Sequence, residues 1–260
     1  MEQMRENNMK NMLRGLLAAS ILAGAAVATP AFAQDEGEIT VSANVAMVTD
    51  YRFRGVSYSG GDFAIQGGVD IGHSSGFYIG TWASSLEPTS TGYGNTEVDL
   101  YGGYSGAISD TLSFDVGLLY YLYPSASGDT DYFEPYASLT AAVGPAEVTA
   151  GVAYAWEQDS TLNQDNLYLY ADVGFGIPNT PVSVSGHLGY TDGVWSPETY
   201  SIFGTNDQTA FDWSIGASMA VMGPLEVGVS YVGVEAPSNE NIAFGPVMND
   251  TVIATLSASF

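Results

Sequence analysis

The chain contains no cysteine, only five lysines and arginines, only two histidines, and, past its N-terminal region, no apolar run long enough for a membrane-crossing helix. Without cysteine, disulfides and thiolate metal sites are excluded, while the compartment stays open. Five basic residues against 29 acidic ones give a formal net charge of −24, which weighs against nucleic acid as a partner. The two histidines have no spacing that supports a metal centre, and no cofactor is implied. Charged residues of all kinds reach 13%, about half the usual share for a soluble domain. So few charges cannot cover a wholly water-facing surface. Hydrophobic residues at 46% and aromatics at 12% exclude disorder.

The N-terminus reads as a targeting segment. Lys10 and Arg14 precede an uncharged, mostly apolar run from Leu16 to Ala28, then Ala31-Phe32-Ala33. This is the basic, apolar and small-x-small order of a Sec-type signal peptide, with cleavage expected after Ala33. The run falls short of the about 20 residues a spanning helix needs. Met1 or Met9 can serve as the start. Cleavage removes Arg5, Lys10 and Arg14, so the mature chain keeps two basic residues, Arg52 and Arg54, two positions apart. An exported chain with no helical span can cross a membrane only as strands.

From residue 39, after an acidic tail at 34–38, the pattern has a period of two. Ile39, Val41, Ala43, Val45, Met47, Tyr51 and Phe53 alternate with Thr40, Ser42, Asn44, Asp50, Arg52 and Arg54, predicting one long two-faced strand. Comparable alternation recurs to the end of the chain, where Val252, Ala254, Leu256, Ala258 and Phe260 oppose Thr251, Thr255, Ser257 and Ser259. With the less regular Phe77–Ser84 and Glu134–Val143, the spacing predicts about 12 strands. Short turns are expected near Gly72–Gly76, Tyr104–Thr111, Val143–Ala146, Gly176–Pro181 and Met222–Pro224. Longer polar loops are expected at Gly55–Gly61, Ser85–Asn95, Pro124–Asp131, Gln158–Asp165, Asp192–Gln208 and Ala236–Asp250. An even number of strands with alternating short and long connections predicts an all-β, up-and-down transmembrane barrel over residues 39–260. Its short turns would be periplasmic and its long loops extracellular. A soluble β-sandwich also alternates, but it does not explain the long strands, the alternating loops or the closing Phe260. That terminal aromatic is the signature expected for delivery to the barrel assembly machinery of the outer membrane.

The stretch from Asn44 to Ser84 resembles the opening of the TorF porin family of proteobacteria. Thr49-Asp50-Tyr51, Phe53-Arg54-Gly55, Gln66-Gly67-Gly68, Gly76-Phe77-Tyr78, Gly80 and Trp82 match its hallmark in order and spacing. Phe63-Ala64 departs from it, since Pro-Ala is expected there. The resemblance covers about forty residues and implies an outer-membrane barrel with a channel role. It supplies no catalytic residues.

On a barrel the polar faces point inward. The expected lumen set is Asp50, Asp70, Glu97, Asp99, Asp115, Glu134, Glu147, Asp172, Asp212 and Glu226, with Arg52 and Arg54 as its cations. Strands about 4.8 Å apart and tilted about 40° give a backbone diameter of roughly 23 Å. Acidic pore walls concentrate cations, so a cation preference or passage of small polar solutes is expected of an open lumen. The carboxylates can equally serve only to hydrate the lumen. Arg52 and Arg54, two apart on one strand, are expected to share a lumen face near the extracellular mouth, with Asp50 one step deeper and Tyr51 and Phe53 towards lipid. They serve either an Arg–carboxylate network that braces the wall, with Glu97, Asp99, Glu134, Asp172 or Asp212, or a constriction that screens solutes. Catalysis finds little support. His73 falls in a predicted turn beside Ser74 and Ser75, and His187 falls mid-strand among Ser and Gly. The acidic loops could bind divalent cations that bridge lipopolysaccharide. Trp195 and Tyr200 read as loop packing. A closed structural or adhesion barrel acting through its long loops is the competing reading.

Overall fold

A computed structural model describes residues 38–197, 208–235 and 245–260. The expected signal peptide, part of the acidic tail, and residues 198–207 and 236–244 of the loops Asp192–Gln208 and Ala236–Asp250, Tyr200 among them, lie outside the described residues. Twelve strands form the wall: β1 (Ile39–Val48), β4 (Ala64–His73), β5 (Phe77–Ser85), β6 (Thr96–Ser109), β7 (Leu112–Leu122), β8 (Tyr132–Val143), β9 (Ala146–Ala155), β10 (Asn166–Gly176), β11 (Val182–Gly193), β12 (Thr209–Met222), β13 (Leu225–Val234) and β14 (Thr251–Ser259). Two short strands, β2 (Arg52–Phe53) and β3 (Val56–Ser57), pair with each other apart from that wall.

Each wall strand pairs antiparallel with its neighbour in sequence, and β1 meets β14 to close the barrel. That seam runs from Asn44↔Ser259 to Val48↔Thr255. The backbone of Phe260 extends it, since its N–H donates to the Ala43 carbonyl (2.8 Å) and its carbonyl accepts from the Ala43 N–H (3.0 Å). Closure leaves no wall strand with an open edge. Ile39 lies opposite His73, so both termini of the barrel sit at the short-turn end.

The side chains are arranged inside-out relative to a soluble protein. Ile65, Ile71, Ile79, Leu100, Val116, Leu139, Leu188, Ile215, Val229 and Val252 are exposed on the outer face, while the intervening polar positions point inward. Aromatic rings gather at both rims of this apolar belt. At the short-turn end Phe77 packs on Tyr104 (4.9 Å between centroids) and Tyr104 on Phe114 (5.8 Å). At the other end Tyr120 stacks on Phe133 (4.2 Å) and Phe133 on Trp156 (6.1 Å). Such rims suit the two interfaces of a bilayer.

The two less regular segments are strands as expected, β5 one residue and β8 two residues longer than the alternation marked. Two boundaries differ from the sequence reading. The turn expected across Tyr104–Thr111 shrinks to Asp110-Thr111, because β6 continues to Ser109 through a bulge at Ala107/Ser109 that absorbs the break in alternation. The first strand stops at Val48 instead of running on to Arg54.

A charge on the outer belt tests this orientation. Leu188→Arg, at mid-strand on β11, should cost about 2–4 kcal/mol when folding into lipid vesicles is titrated with urea. A soluble sandwich would lose under about 0.5 kcal/mol for a surface substitution.

Candidate functional site

Beyond Val48 the chain turns into the lumen. Two residues of left-handed backbone, Arg54 (φ 48°) and Gly55 (φ 79°), connect β2 to β3. That is the two-residue hairpin geometry with positive φ at both central positions. Gly55 is also forced by space, because a Cβ there would lie 2.6 Å from the Val234 Cβ and 2.8 Å from the Gly233 carbonyl.

Asp50 organises the hairpin from within. Its carboxylate accepts from Arg52 Nε (2.7 Å), from the Ser57 hydroxyl and from the Ser59 hydroxyl (3.1 Å). Arg52 Nη1 donates to the Gly55 carbonyl (2.8 Å), and the Tyr51 N–H donates to Ser59 Oγ (2.8 Å). Each partner satisfies a polar group that the hairpin would otherwise bury bare.

Arg54 ties the hairpin to the far wall. Its Nη2 donates to both carboxylate oxygens of Glu134 on β8 (2.7 and 2.8 Å), and Tyr121 donates its hydroxyl to the same carboxylate (3.2 Å). In the strand order β8 lies about half-way round the barrel from β1, so this ion pair crosses the lumen. The guanidinium carbon sits 4.1 Å from the Tyr168 ring centre, 4.7 Å from Phe53 and 5.7 Å from Trp195. Burial lowers the Arg54 pKa, but the Glu134 carboxylate together with Tyr121, Tyr168 and Tyr132 outweighs it and holds the pKa above the ordinary arginine value. Tyr51 donates to Glu97 Oε1 (3.0 Å), and burial together with Glu97 and Asp99 pushes its phenol well up. It therefore stays a donor.

The arginines thus do not share a strand face, and Tyr51 and Phe53 do not meet lipid. Tyr51 packs against Tyr58 (5.7 Å) and Trp82 (5.5 Å), and Phe53 against Tyr58 (5.4 Å) and Tyr121 (5.8 Å). The reason is that an apolar side chain fits a lipid face and a packed plug equally well, so alternation alone cannot tell them apart. Trp195 packs on Tyr132 (4.3 Å).

Of the eight candidate residues, Asp50, Arg52, Arg54, Glu97, Asp99, Glu134 and Asp212 are buried at this end of the barrel. Two direct pairs form, Asp50–Arg52 and Arg54–Glu134. Glu97 and Asp99 meet no arginine. Asp172, on β10, belongs to a second group with Asp212. There His187 places Nδ1 2.6 Å from Asp172 and Nε2 3.0 Å from Asp212, and the Tyr168 hydroxyl lies 2.8 Å from the same Nε2. Since Arg54 lies over the Tyr168 ring, the hairpin reaches this group as well. A cavity between hairpin and wall is lined by Asp50, Arg52, Gln66, His187 and Asp212, among others. His73 instead sits exposed at the short-turn end beside Glu38 (3.1 Å).

The sequence reading put Tyr101 and Tyr170 on polar faces but gave the tyrosines that line the wall no role. The Tyr101 ring covers Gly80, Tyr136 covers Gly117, and Tyr170 covers Gly151, each opposite its glycine in register. Lumen carboxylates and a neighbouring phenol hold the hydroxyls of Tyr101 and Tyr136: Tyr101 donates to Asp70, Tyr78 to Asp115 (2.6 Å), and the Tyr78 and Tyr136 phenols share a hydrogen bond. The signal was present, in that tyrosines on polar faces oppose glycines on the next strand. Reading it requires the strand register.

A closed 12-stranded antiparallel wall with an apolar belt and a polar lumen defines the class, a porin-like barrel of the outer-membrane type. Within that class the chain belongs to the family described as "Bacterial protein of unknown function (Gcw_chp)", which it matches over residues 32–260. Among solved structures, the NanC porin superposes with a TM-score of 0.56 at 11% identity, covering 85% of this chain and 99% of that one. The KdgM porin gives a TM-score of 0.53 at 9% identity, covering 84% and 98%. Similarity at this level is a similarity of fold. No curated protein sequence matches the chain. The barrel implied by the TorF resemblance agrees with these findings, which do not carry that family name.

Removing one partner of a buried ion pair leaves the other charge stranded. Arg54→Gln should therefore lower unfolding free energy by about 3–5 kcal/mol, measured by denaturation in detergent micelles, and Arg54→Gln with Glu134→Gln should recover much of it.

Proposed function

We propose that the protein is an outer-membrane channel for passive diffusion of small polar solutes, with a weak preference for cations and with the β2–β3 hairpin as its constriction. The acidic wall carries this reading. Asp70, Asp115, Glu147, Asp172 and Glu226 are partly exposed along the inner face, while both arginines have their charge tied up by carboxylates. A pore with fixed anions and neutralised cations favours positive or neutral solutes. The KdgM porin has also been solved in complex with disordered oligogalacturonate. An acidic saccharide of that kind would meet a like-charged wall in this barrel, which argues for a different solute. In this reading residues 1–33 export the chain, the long loops lie outside the cell against lipopolysaccharide, and Phe260 is presented to the assembly machinery. Both ring nitrogens of His187 are committed to carboxylates or a phenol, so no catalytic step is assigned.

One observation favours a second reading, a closed barrel acting through its loops. The hairpin packs among Tyr121, Tyr123, Tyr132 and Trp195, forming a core at the long-loop end where a wide pore would be empty.

Reversal potential and single-channel conductance in a planar bilayer test both. The channel reading expects small cation-selective currents in the intact protein. It also expects a several-fold larger conductance with stronger cation preference when Arg52 and Arg54 are both replaced by Gln. Anion selectivity would overturn it, and absence of current both in the intact protein and in a variant with residues 50–59 replaced by a short Gly-Ser linker would establish the closed barrel.

A further inference from the structure

Most of the buried carboxylates at the long-loop end have a basic partner. Asp50 is matched by Arg52, Glu134 by Arg54, and His187 lies between Asp172 and Asp212. Glu97 and Asp99 on β6 remain. They are 0% and 1% exposed, and they point to the same side of their strand. Neither oxygen of Asp99 has a hydrogen-bond partner, and neither does Glu97 Oε2. In register Asp99 lies between Trp82 on β5 and Tyr121 on β7, both buried. The buried Tyr123 hydroxyl, within electrostatic reach of Glu97, is also without a partner. Tyr51 of the hairpin donates to the remaining Glu97 oxygen and covers the group.

A carboxylate sealed from water with no donor on it must take up a proton or a cation. We propose that Asp99 and Glu97 form a binding site for one small monovalent cation, sodium or potassium, closed over by the β2–β3 hairpin. Three unpartnered carboxylate oxygens and a phenol oxygen are hard ligands of the kind alkali ions accept. A divalent centre fits less well. Among the described residues no group of three or more His, Asp or Glu side chains has metal-ligand spacing, and the third nearby carboxylate, Glu134, already holds Arg54. The Tyr51 hydrogen bond offsets part of the second negative charge. An ion bound here joins β6 to the hairpin at the end opposite the Arg54–Glu134 tie, so its occupancy stabilises the folded-in hairpin. The inference stands apart from whether the lumen conducts, because its readout is stability.

The test is thermal unfolding of the full chain in detergent micelles, at neutral pH and fixed ionic strength. N-methylglucamine chloride is replaced stepwise by sodium or potassium chloride. The expected result is a midpoint that climbs by roughly 3–5 °C for each tenfold rise in sodium or potassium above the dissociation constant. Asp99→Asn should abolish that response, whereas Asp115→Asn, on a lumen carboxylate already bonded to Tyr78, should keep it. Equal midpoints for the unaltered chain in all three salts would overturn the proposal in favour of protonated carboxyls, even if Asp99→Asn fails to fold. So would a response that persists in both Asp99→Asn and Glu97→Gln.

Discussion

The Arg54–Glu134 ion pair is the contact on which the arrangement of the mouth depends. It joins the tip of a hairpin rooted in β1 to a strand on the opposite side of the barrel. Without it, residues 49–59 would be a loop free to stand away from the lumen. With it, they bring Tyr51, Phe53, Val56 and Tyr58 inside, where they pack with Trp82, Leu119, Tyr121 and Tyr132 in a small core, while most large apolar side chains of the wall face outward. The pair is expensive in desolvation, and the structure meets that demand with the Tyr121 hydroxyl on Glu134 and the rings of Tyr168 and Phe53 beside the guanidinium. Glycine at position 55 and the left-handed backbone of Arg54 are local requirements of the same contact, since they aim the guanidinium across the barrel.

The rest of the lumen follows from filling a narrow barrel with polar groups. Twelve strands leave an interior that side chains can largely fill. Here tyrosines lie over glycines of the adjacent strand, and carboxylates hold their hydroxyls. The wall is therefore ordered as well as acidic. The Asp172–His187–Asp212 group reaches the hairpin through Tyr168, whose ring lies against the Arg54 guanidinium, so hydrogen bonds and a cation–π contact together join hairpin and wall.

The barrel was legible in the sequence because a bilayer inverts the usual pattern over long strands, and because loop lengths alternate. Period two and the even strand number express one constraint, that a sheet in lipid must close. The inward direction of Glu97, Asp99, Glu134, Asp172 and Asp212 was legible for the same reason. What could not be read was where alternation ceases to mean lipid. Tyr51 and Phe53 continue the pattern of Val45 and Met47, yet they belong to a plug, and what decides this is a carboxylate 80 residues away in sequence. The setting of His187 was hidden for a related reason. Asp172 stands opposite it only in the register that the β10–β11 turn imposes, and Asp212 comes from β12. Pairings between strands are properties of register, and register becomes visible only once each turn is placed.

The central claim is that residues 50–59 fill the lumen and do not extend β1 along the lipid. Because the chain has no native cysteine, a single spin label can be placed at will. The direct measurement is the accessibility of a label at Phe53→Cys, in protein reconstituted into lipid vesicles, to oxygen, which partitions into lipid, and to a water-soluble nickel chelate. A label at Val45→Cys on the outer face of β1 serves as the reference. The account predicts a slow-moving label at position 53 that is shielded from both reagents, against an oxygen-accessible label at position 45. Equal oxygen accessibility at the two positions would mean that β1 continues along the bilayer, and would contradict the account.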